Sequence, residues 1–288
     1  MHDSRIGALI DQSSNPVVAL EGVTVIRGGR HLIESVSWVI GPGERWVLFG
    51  ANGSGKTTLM EVVSSYLMPS RGIAHLFGHR FGKVDVRSLR PRVGYVGPAP
   101  TQLVRHHLPS LEIVLTGLYA SFVDSRWHSY SDHDWSRARE CLRLLHAEQL
   151  ADREFGTMSE GEKKRVLIAR SLMAEPDLIL LDEPASGLDL GARERLVDSL
   201  STLASSASET PVVLVTHHVE EIPPGFDHML ILAGGRVIAS GRLDDVLTRE
   251  ALSETFAMPL EIERRGSRWR AWAPIQVAVD AAVENGTQ

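Results

Sequence analysis

Several things are scarce in this chain at once. Among its 288 residues there is one cysteine, Cys141. A lone thiol cannot close an internal disulfide, so cysteine usage gives no sign of an oxidising compartment or a disulfide-stapled fold. Cys141 stands with Trp135, Ala138, Leu142 and Leu145 at helical spacing, and a buried thiol behaves as a small hydrophobe, so it is expected in a core. Long apolar runs are also missing. The longest, at 178–181 and 212–215, have strand length, whereas a membrane-spanning helix needs about twenty apolar residues; the chain is not expected to form a membrane channel itself. The opening stretch, 1–16, has too short an apolar segment for a signal-peptide core and reads as a loose polar tail. A basic stripe is lacking too. With a net charge of −6, no nucleic-acid partner is expected. The local exception, Arg264, Arg265, Arg268 and Arg270, reads as a solvated strand face. There are no internal repeats.

What is present is a chain of 43% hydrophobic residues, ample for a large α/β domain or one such domain with a small appended lobe. It opens with β-structure. Val17–Leu20 and Val23–Ile26 are short β-branched runs broken by Glu21-Gly22, Gly28-Gly29 marks a turn, and Val36–Ile40 and Trp46–Phe49 are further strands. From about 100 to 172 the pattern is mostly helical, with Ser131 and Asp134 resembling a capping box and another helix starting after Ser159. The runs 178–181 and 212–215 are wholly apolar, as in strands buried on both faces, and a helix near 191–204 separates them. This alternation predicts a parallel sheet. Met229–Leu232 and Val237–Ala239 read as a hairpin around Gly234-Gly235, and Leu260–Arg264 and Arg268–Trp272 as a possible second one.

Strand, glycine-rich loop and helix meet at Gly50-Ala51-Asn52-Gly53-Ser54-Gly55-Lys56-Thr57, which matches G-x-x-x-x-G-K-S/T. Glycines let backbone N–H groups curl around phosphate oxygens, and the positive end of the following helix points at the same place. Lys56 supplies a point charge for β- and γ-phosphate oxygens, the Thr57 hydroxyl can ligate Mg²⁺, and Thr58 adds a contact to the α-phosphate. Downstream, Leu178-Ile179-Leu180-Leu181-Asp182-Glu183-Pro184 ends a buried strand with two acids. Ligands of open α/β sheets bind beyond the carboxyl ends of strands. Asp182 is placed to hold Mg²⁺ and Glu183 to orient the attacking water, although a strand can also end in an acidic turn without function.

Three further segments narrow the choice. Met158-Ser159-Glu160-Gly161-Glu162, followed by Lys-Lys-Arg-Val-Leu-Ile-Ala-Arg, resembles the signature motif of ABC ATPases, usually written LSGGQ. Ala185-Ser186-Gly187-Leu188-Asp189 is similar to that family's D-loop, and Thr216-His217 ends the next strand as its switch histidine does. Taken singly, Ser159 and Asp189 read equally as helix N-caps and His217 as an ordinary strand-end histidine; five motifs in family order reverse that balance. The resemblance covers roughly residues 17–245 and implies a P-loop NTPase fold. That fold has a mainly parallel core sheet, an N-terminal antiparallel β-lobe and a helical signature lobe. It divides the chain into a tail (1–16), an ATPase domain (17–250) and a small C-terminal extension (251–288). The resemblance also implies ATP and Mg²⁺ as ligands, and a head-to-tail homodimer or a pairing with a second ATPase subunit. In that dimer Ser159 and Gly161 of one chain close over the γ-phosphate held by the other, while His217 holds water and Glu183 in place. A separate membrane permease is the implied partner, with the chain cytoplasmic and peripheral at the inner face of the membrane.

The sequence departs from the family pattern at three places. The family stacks an aromatic on adenine from the early β-lobe; here Ile26-Arg27-Gly28 lacks one, and the Arg27 guanidinium is the expected substitute. Pro98 stands where the family has a glutamine that contacts Mg²⁺ and faces the permease, with Gln102 four residues later as the candidate replacement. Glu160 and Glu162 replace the usual Gly and Gln of the signature. The altered loop leaves a second reading open: a soluble, stand-alone ABC-type ATPase with a regulatory or remodelling role. A small-molecule P-loop kinase leaves the signature and His217 unexplained.

Overall fold

The computed structural model describes residues 16–97, 104–119, 129–206 and 209–274. Strand β1 (Val18–Arg27) is one element rather than two: the Glu21-Gly22 break is a bulge where its register against β2 (Arg30–Ile40) shifts. Together with β4 (Arg71–Leu76) and β5 (His79–Arg80) these strands form an antiparallel sheet in the order β2-β1-β4-β5. This is the expected N-terminal lobe.

The core sheet has six strands in the order β10-β9-β3-β8-β7-β6. They are β3 (Arg45–Phe49), β6 (Val93–Val96), β7 (Leu178–Asp182), β8 (Val212–Thr216), β9 (His228–Ala233) and β10 (Arg236–Arg242). All neighbours pair in parallel except the β9–β10 hairpin. Side chains of a strand alternate between faces, and here both faces are covered. Ile179, Leu181, Leu214 and Phe49 enter one apolar cluster, shared with the helical lobe. Leu178, Leu180, Val213 and Leu48 enter the other, under the antiparallel sheet and α1 (Lys56–Val63). Double burial is why these strands read as unbroken apolar runs.

The helical lobe packs α2 (Ser110–Leu115), α3 (Asp132–Leu144) and α4 (Glu160–Leu172) on the first cluster through Val114, Cys141, Leu142, Val166 and Ala169. The expected capping box starts α3: Asp134 N–H donates to Ser131 Oγ at 3.3 Å and Ser131 N–H to Asp134 Oδ2 at 2.8 Å. Cys141 is in the core as expected, and burial pushes its thiol pKa up to about 11. After β7, helix α5 (Leu190–Ser205) leads to β8. Among the described residues no helix is long and apolar enough to cross a membrane.

Beyond β10 come α6 (Leu243–Val246), α7 (Arg249–Phe256) and a separate hairpin of β11 (Glu261–Arg265) with β12 (Arg268–Trp272). The arginines of this hairpin also carry ion pairs. Arg264 reaches Asp244 at 2.9 Å, Arg268 reaches Glu194 at 2.7 Å and Arg270 lies 3.8 Å from Glu263. Arg264, Arg265 and Arg270 stay exposed, as expected of a solvated face; Arg268 is half-buried, and its Glu194 partner on α5 is one that spacing along the chain does not encode.

Candidate active site

The loop between β3 and α1 is pressed against two other strands. A Cβ at Gly50 would run into the Leu232 carbonyl of β9 and sit 2.6 Å from Ser54 Oγ; one at Gly55 would sit 2.8 Å from the Leu32 carbonyl of β2. Only glycine tolerates such backbone approach. Gly235 N–H donates to the Ser54 carbonyl at 3.0 Å, and Glu34 N–H to the Gly235 carbonyl at 2.7 Å, so the β9–β10 turn stitches the loop to β2. Lys56 is buried, its Nζ donating to the carbonyls of Gly50 (2.8 Å) and Ala51 (3.1 Å).

The loop opens on a cavity of about 630 Å³. Asn52, Gly53, Gly55, Lys56, Thr57 and Thr58 line it, and Glu183 reaches it from the end of β7. His31, Leu32, Gly234 and Gly235 line it as well, and sequence reading missed all four. Gly234-Gly235 signalled a turn, but no pattern links residue 235 to residue 54. Arg27 is exposed beside the Gly28-Gly29 turn and is not among the lining residues; the cavity wall of that lobe is His31 and Leu32. The β1–β2 hairpin turns so that the first residues of β2, rather than the last of β1, face the loop.

Three sequence-selected groups converge at the strand ends. Glu183 Oε1 lies 3.5 Å from Lys56 Nζ and 3.3 Å from His217 Nδ1. Glu183 adopts φ 47°, a left-handed conformation unusual for a non-glycine residue, while its N–H donates to the Val215 carbonyl at 3.1 Å. Such backbone strain, about 1–3 kcal/mol, persists where surroundings over-determine it, commonly at functional sites. Asp182 is buried and accepts a hydrogen bond from Tyr95 Oη at 3.1 Å. Burial raises its pKa above the ordinary aspartate value and the adjacent Glu183 adds to this; the Tyr95 hydrogen bond and the Lys56 charge oppose it. Tyr95 is a partner that sequence reading did not assign. Pro98 and Gln102 lie outside the described residues.

The signature residues are elsewhere. Ser159 N-caps α4: Glu162 N–H donates to Ser159 Oγ at 3.4 Å, and Ser159 N–H donates to Glu162 Oε2 at 2.9 Å. Ser159, Gly161, Glu162, Arg165, Ala192 and Arg195 line a second cavity of about 160 Å³, which shares no lining residue with the first. The two unusual acids are paired, Glu160 with Lys163 and Glu162 with Arg153, each at 2.8 Å. Burial pushes the Glu162 carboxyl up, but its hydrogen bonds to Ser159 and the Arg153 charge outweigh this and hold it below the ordinary range. Gly161 packs on α5: a Cβ there would be 2.8 Å from the Ala192 Cβ. Asp189 caps α5, accepting from Ala192 N–H at 2.7 Å.

Comparison with known proteins identifies the family. The family model described as "ABC transporter" matches residues 33–186, just over half of the chain. An uncharacterised ABC transporter ATP-binding protein, YlmA of Bacillus subtilis, is 39% identical over 247 residues, covering 85% of this chain and 93% of the relative. The hemin import ATP-binding protein HmuV of Rhodococcus jostii is 32% identical over 277 residues, covering 90% and 91%. Among solved structures, the dimeric post-hydrolysis ATP-binding cassette MJ0796, bound to ADP and Pi, superposes with a TM-score of 0.65 at 25% identity, covering 78% of this chain and 98% of that one. The chain belongs to the ABC transporter ATP-binding family.

Proposed function

We propose that this ABC transporter ATP-binding subunit hydrolyses ATP as a head-to-tail pair, with a second copy or a second ATPase subunit, and drives a separate membrane permease from the inner face of the membrane. The observation that carries the reading is the division of the site. Lys56, Asp182, Glu183 and His217 gather at the phosphate loop, whereas Ser159 and Gly161 lie at another cavity of the same chain. A second chain supplying its α4 N-terminus completes the first cavity.

The loop residues fit a phosphate chain. Ser54 Oγ is buried without a hydrogen-bond partner, and the Lys56 ammonium rests on loop carbonyls that a phosphate oxygen can outcompete as a charged acceptor. ATP binding moves Lys56 from Gly50 and Ala51 to the β- and γ-oxygens. That also removes the cation next to Glu183, leaving its carboxylate to accept a proton from, and orient, the attacking water, with His217 fixing its position. The partner's α4 N-terminus then stabilises the charge that develops on the γ-phosphate. Thr57 and Asp182 offer a hydroxyl and a carboxylate, a hard-oxygen set suited to Mg²⁺, and no group of three or more His, Cys, Asp or Glu among the described residues competes as a dedicated metal cage. Bound Mg²⁺ would neutralise charge on the phosphates.

A groove of about 190 Å³ between the core sheet and the helical lobe is the surface on which this reading docks the permease. Tyr66, Arg87, Arg90, Tyr95, Gly117 and Arg170 line it, with the Arg90 guanidinium 4.4 Å over the Tyr66 ring. Basic and aromatic lining suits an acidic or amphipathic helix end of a partner. The test is affinity purification of Glu183→Gln with ATP from native membrane extracts. A polytopic membrane protein recovered in fixed ratio is the expected result; recovery of this chain alone, or of soluble partners, overturns the permease reading.

A further inference from the structure

The C-terminal hairpin has no part in the site described above, yet it grips two segments that do. Arg268 donates to both carboxylate oxygens of Glu194, at 2.7 and 3.1 Å. Glu194 lies in the second turn of α5, just after Ala192, the residue against which Gly161 packs. The same guanidinium donates to the Glu220 carbonyl at 2.6 Å, and Ala271 N–H donates to the Glu220 carboxylate at 3.3 Å. Glu220 is therefore held at its backbone and its side chain by β12.

From Glu220 a chain of contacts leads through Glu221 and Thr216 to the residues flanking His217. Residues Val219–Glu221 form a single 3-10 turn after β8. Glu221 is buried and accepts a hydrogen bond from Thr216 Oγ1. Thr216 Oγ1 in turn accepts from His218 N–H at 3.0 Å, so the residues on both sides of His217 are tied to this turn. His217 Nδ1 meets Glu183 at 3.3 Å. A planar guanidinium with several fixed N–H donors can bridge α5 and the turn at once, which a point-like ammonium does poorly.

We propose that Arg268 is a positioning residue for ATP hydrolysis: by locking the 219–221 turn to α5, it sets where His217 stands against Glu183. The inference rests on the ATPase reading given above. It assigns to the C-terminal hairpin a role in the chemical step, exerted through His217 and without contact to ATP.

The test is single-turnover hydrolysis by the full chain as wild type, Arg268→Ala, His217→Ala and the double variant, with thermal unfolding and nucleotide-analogue binding measured on each. Loss of a charge-assisted, geometry-setting contact is expected to lower the R268A rate about tenfold with nucleotide affinity unchanged. In the H217A background R268A should lower the rate no further, because the effect passes through His217. A merely structural contribution would lower the rate and the unfolding temperature in both backgrounds, and that outcome overturns the proposal. So does an R268A rate within about twofold of wild type. If R268A does not fold, Arg268→Lys serves instead: a reduced rate at wild-type Tm supports the proposal, and an unchanged rate overturns it. A wild-type chain that binds ATP without turning it over overturns the ATPase reading itself, and is told apart because the loss then precedes any substitution.

Discussion

Gly161 is the position where packing and chemistry are most easily confused, and the structure separates them. Alanine there places a methyl 2.8 Å from the Ala192 Cβ. Carbon atoms in contact rest at about 3.5–4.0 Å, so α4 and α5 must part by about 1 Å at this crossing. Overpacking of this kind costs about 1–3 kcal/mol, and alanine's better helix propensity offsets about 0.5–1 kcal/mol. The net loss is about 0–2.5 kcal/mol, at roughly 2–4 °C of Tm per kcal/mol for a domain of this size. Ser159 moves with the start of α4, so turnover falls as well. Ala192→Gly removes the obstructing methyl, and G161A combined with A192G is expected to regain turnover. The assay is thermal unfolding plus steady-state phosphate release for wild type, both single variants and the double. G161A with wild-type Tm and turnover would refute the helix-contact argument. A double variant no more active than G161A would show that the new methyl blocks approach to phosphate and that the α4–α5 contact is not why glycine stands there.

Other perturbations probe the remaining parts. Lys56→Ala is expected to abolish tight ATP binding, since it removes a buried ammonium from the phosphate loop; near-normal affinity in a nucleotide titration would sink the assignment. Glu183→Gln should keep ATP affinity, stop turnover and accumulate an ATP-bound dimer by size-exclusion chromatography; wild-type turnover would mean that another group orients the water. Asp182 gives a pH prediction. Its carboxyl is raised chiefly by burial, with the Tyr95 hydrogen bond opposing. A raised folded-state pKa favours the fold at acid pH, where the group is protonated, and that contribution is lost as pH rises through the folded value. Cation binding needs the carboxylate and has the opposite sense, so Mg²⁺-nucleotide affinity should fall on acidification, starting above the ordinary aspartate range. Tyr95→Phe removes the lowering hydrogen bond and should move that fall to higher pH; an unmoved or lower midpoint in a pH series of nucleotide titrations would contradict it.

The elements that sequence reading located best are those whose local chemistry agrees with their tertiary role. β7 and β8 are unbroken apolar runs because both faces are buried. α3 and α4 start at capping boxes whose partners are three residues apart. Less legible was β1, where a bulge at Glu21-Gly22 looks like a break because a glycine interrupts the alternation in either case. Arg27 was chosen from its place in the chain, whereas the cavity wall on that lobe is His31 and Leu32, because the turn of the hairpin brings the start of β2 to the loop.

The sequence by itself determined the motifs and the family they point to: a glycine-rich loop at Gly50–Thr57, an acid pair at Asp182-Glu183, a strand-end histidine and a helix start at Ser159, each a short-range pattern of neighbours in the chain. The tertiary structure decided what depends on separation in space. It brought Glu183 between Lys56 and His217, set Tyr95 on Asp182, and stitched Gly235 to Ser54. It also kept Ser159 and Gly161 at another cavity and tied Arg268 to Glu194 and Glu220. Those contacts join residues far apart in sequence, and their partners are chosen by how sheets and helices pack, a long-range outcome that no local spacing encodes.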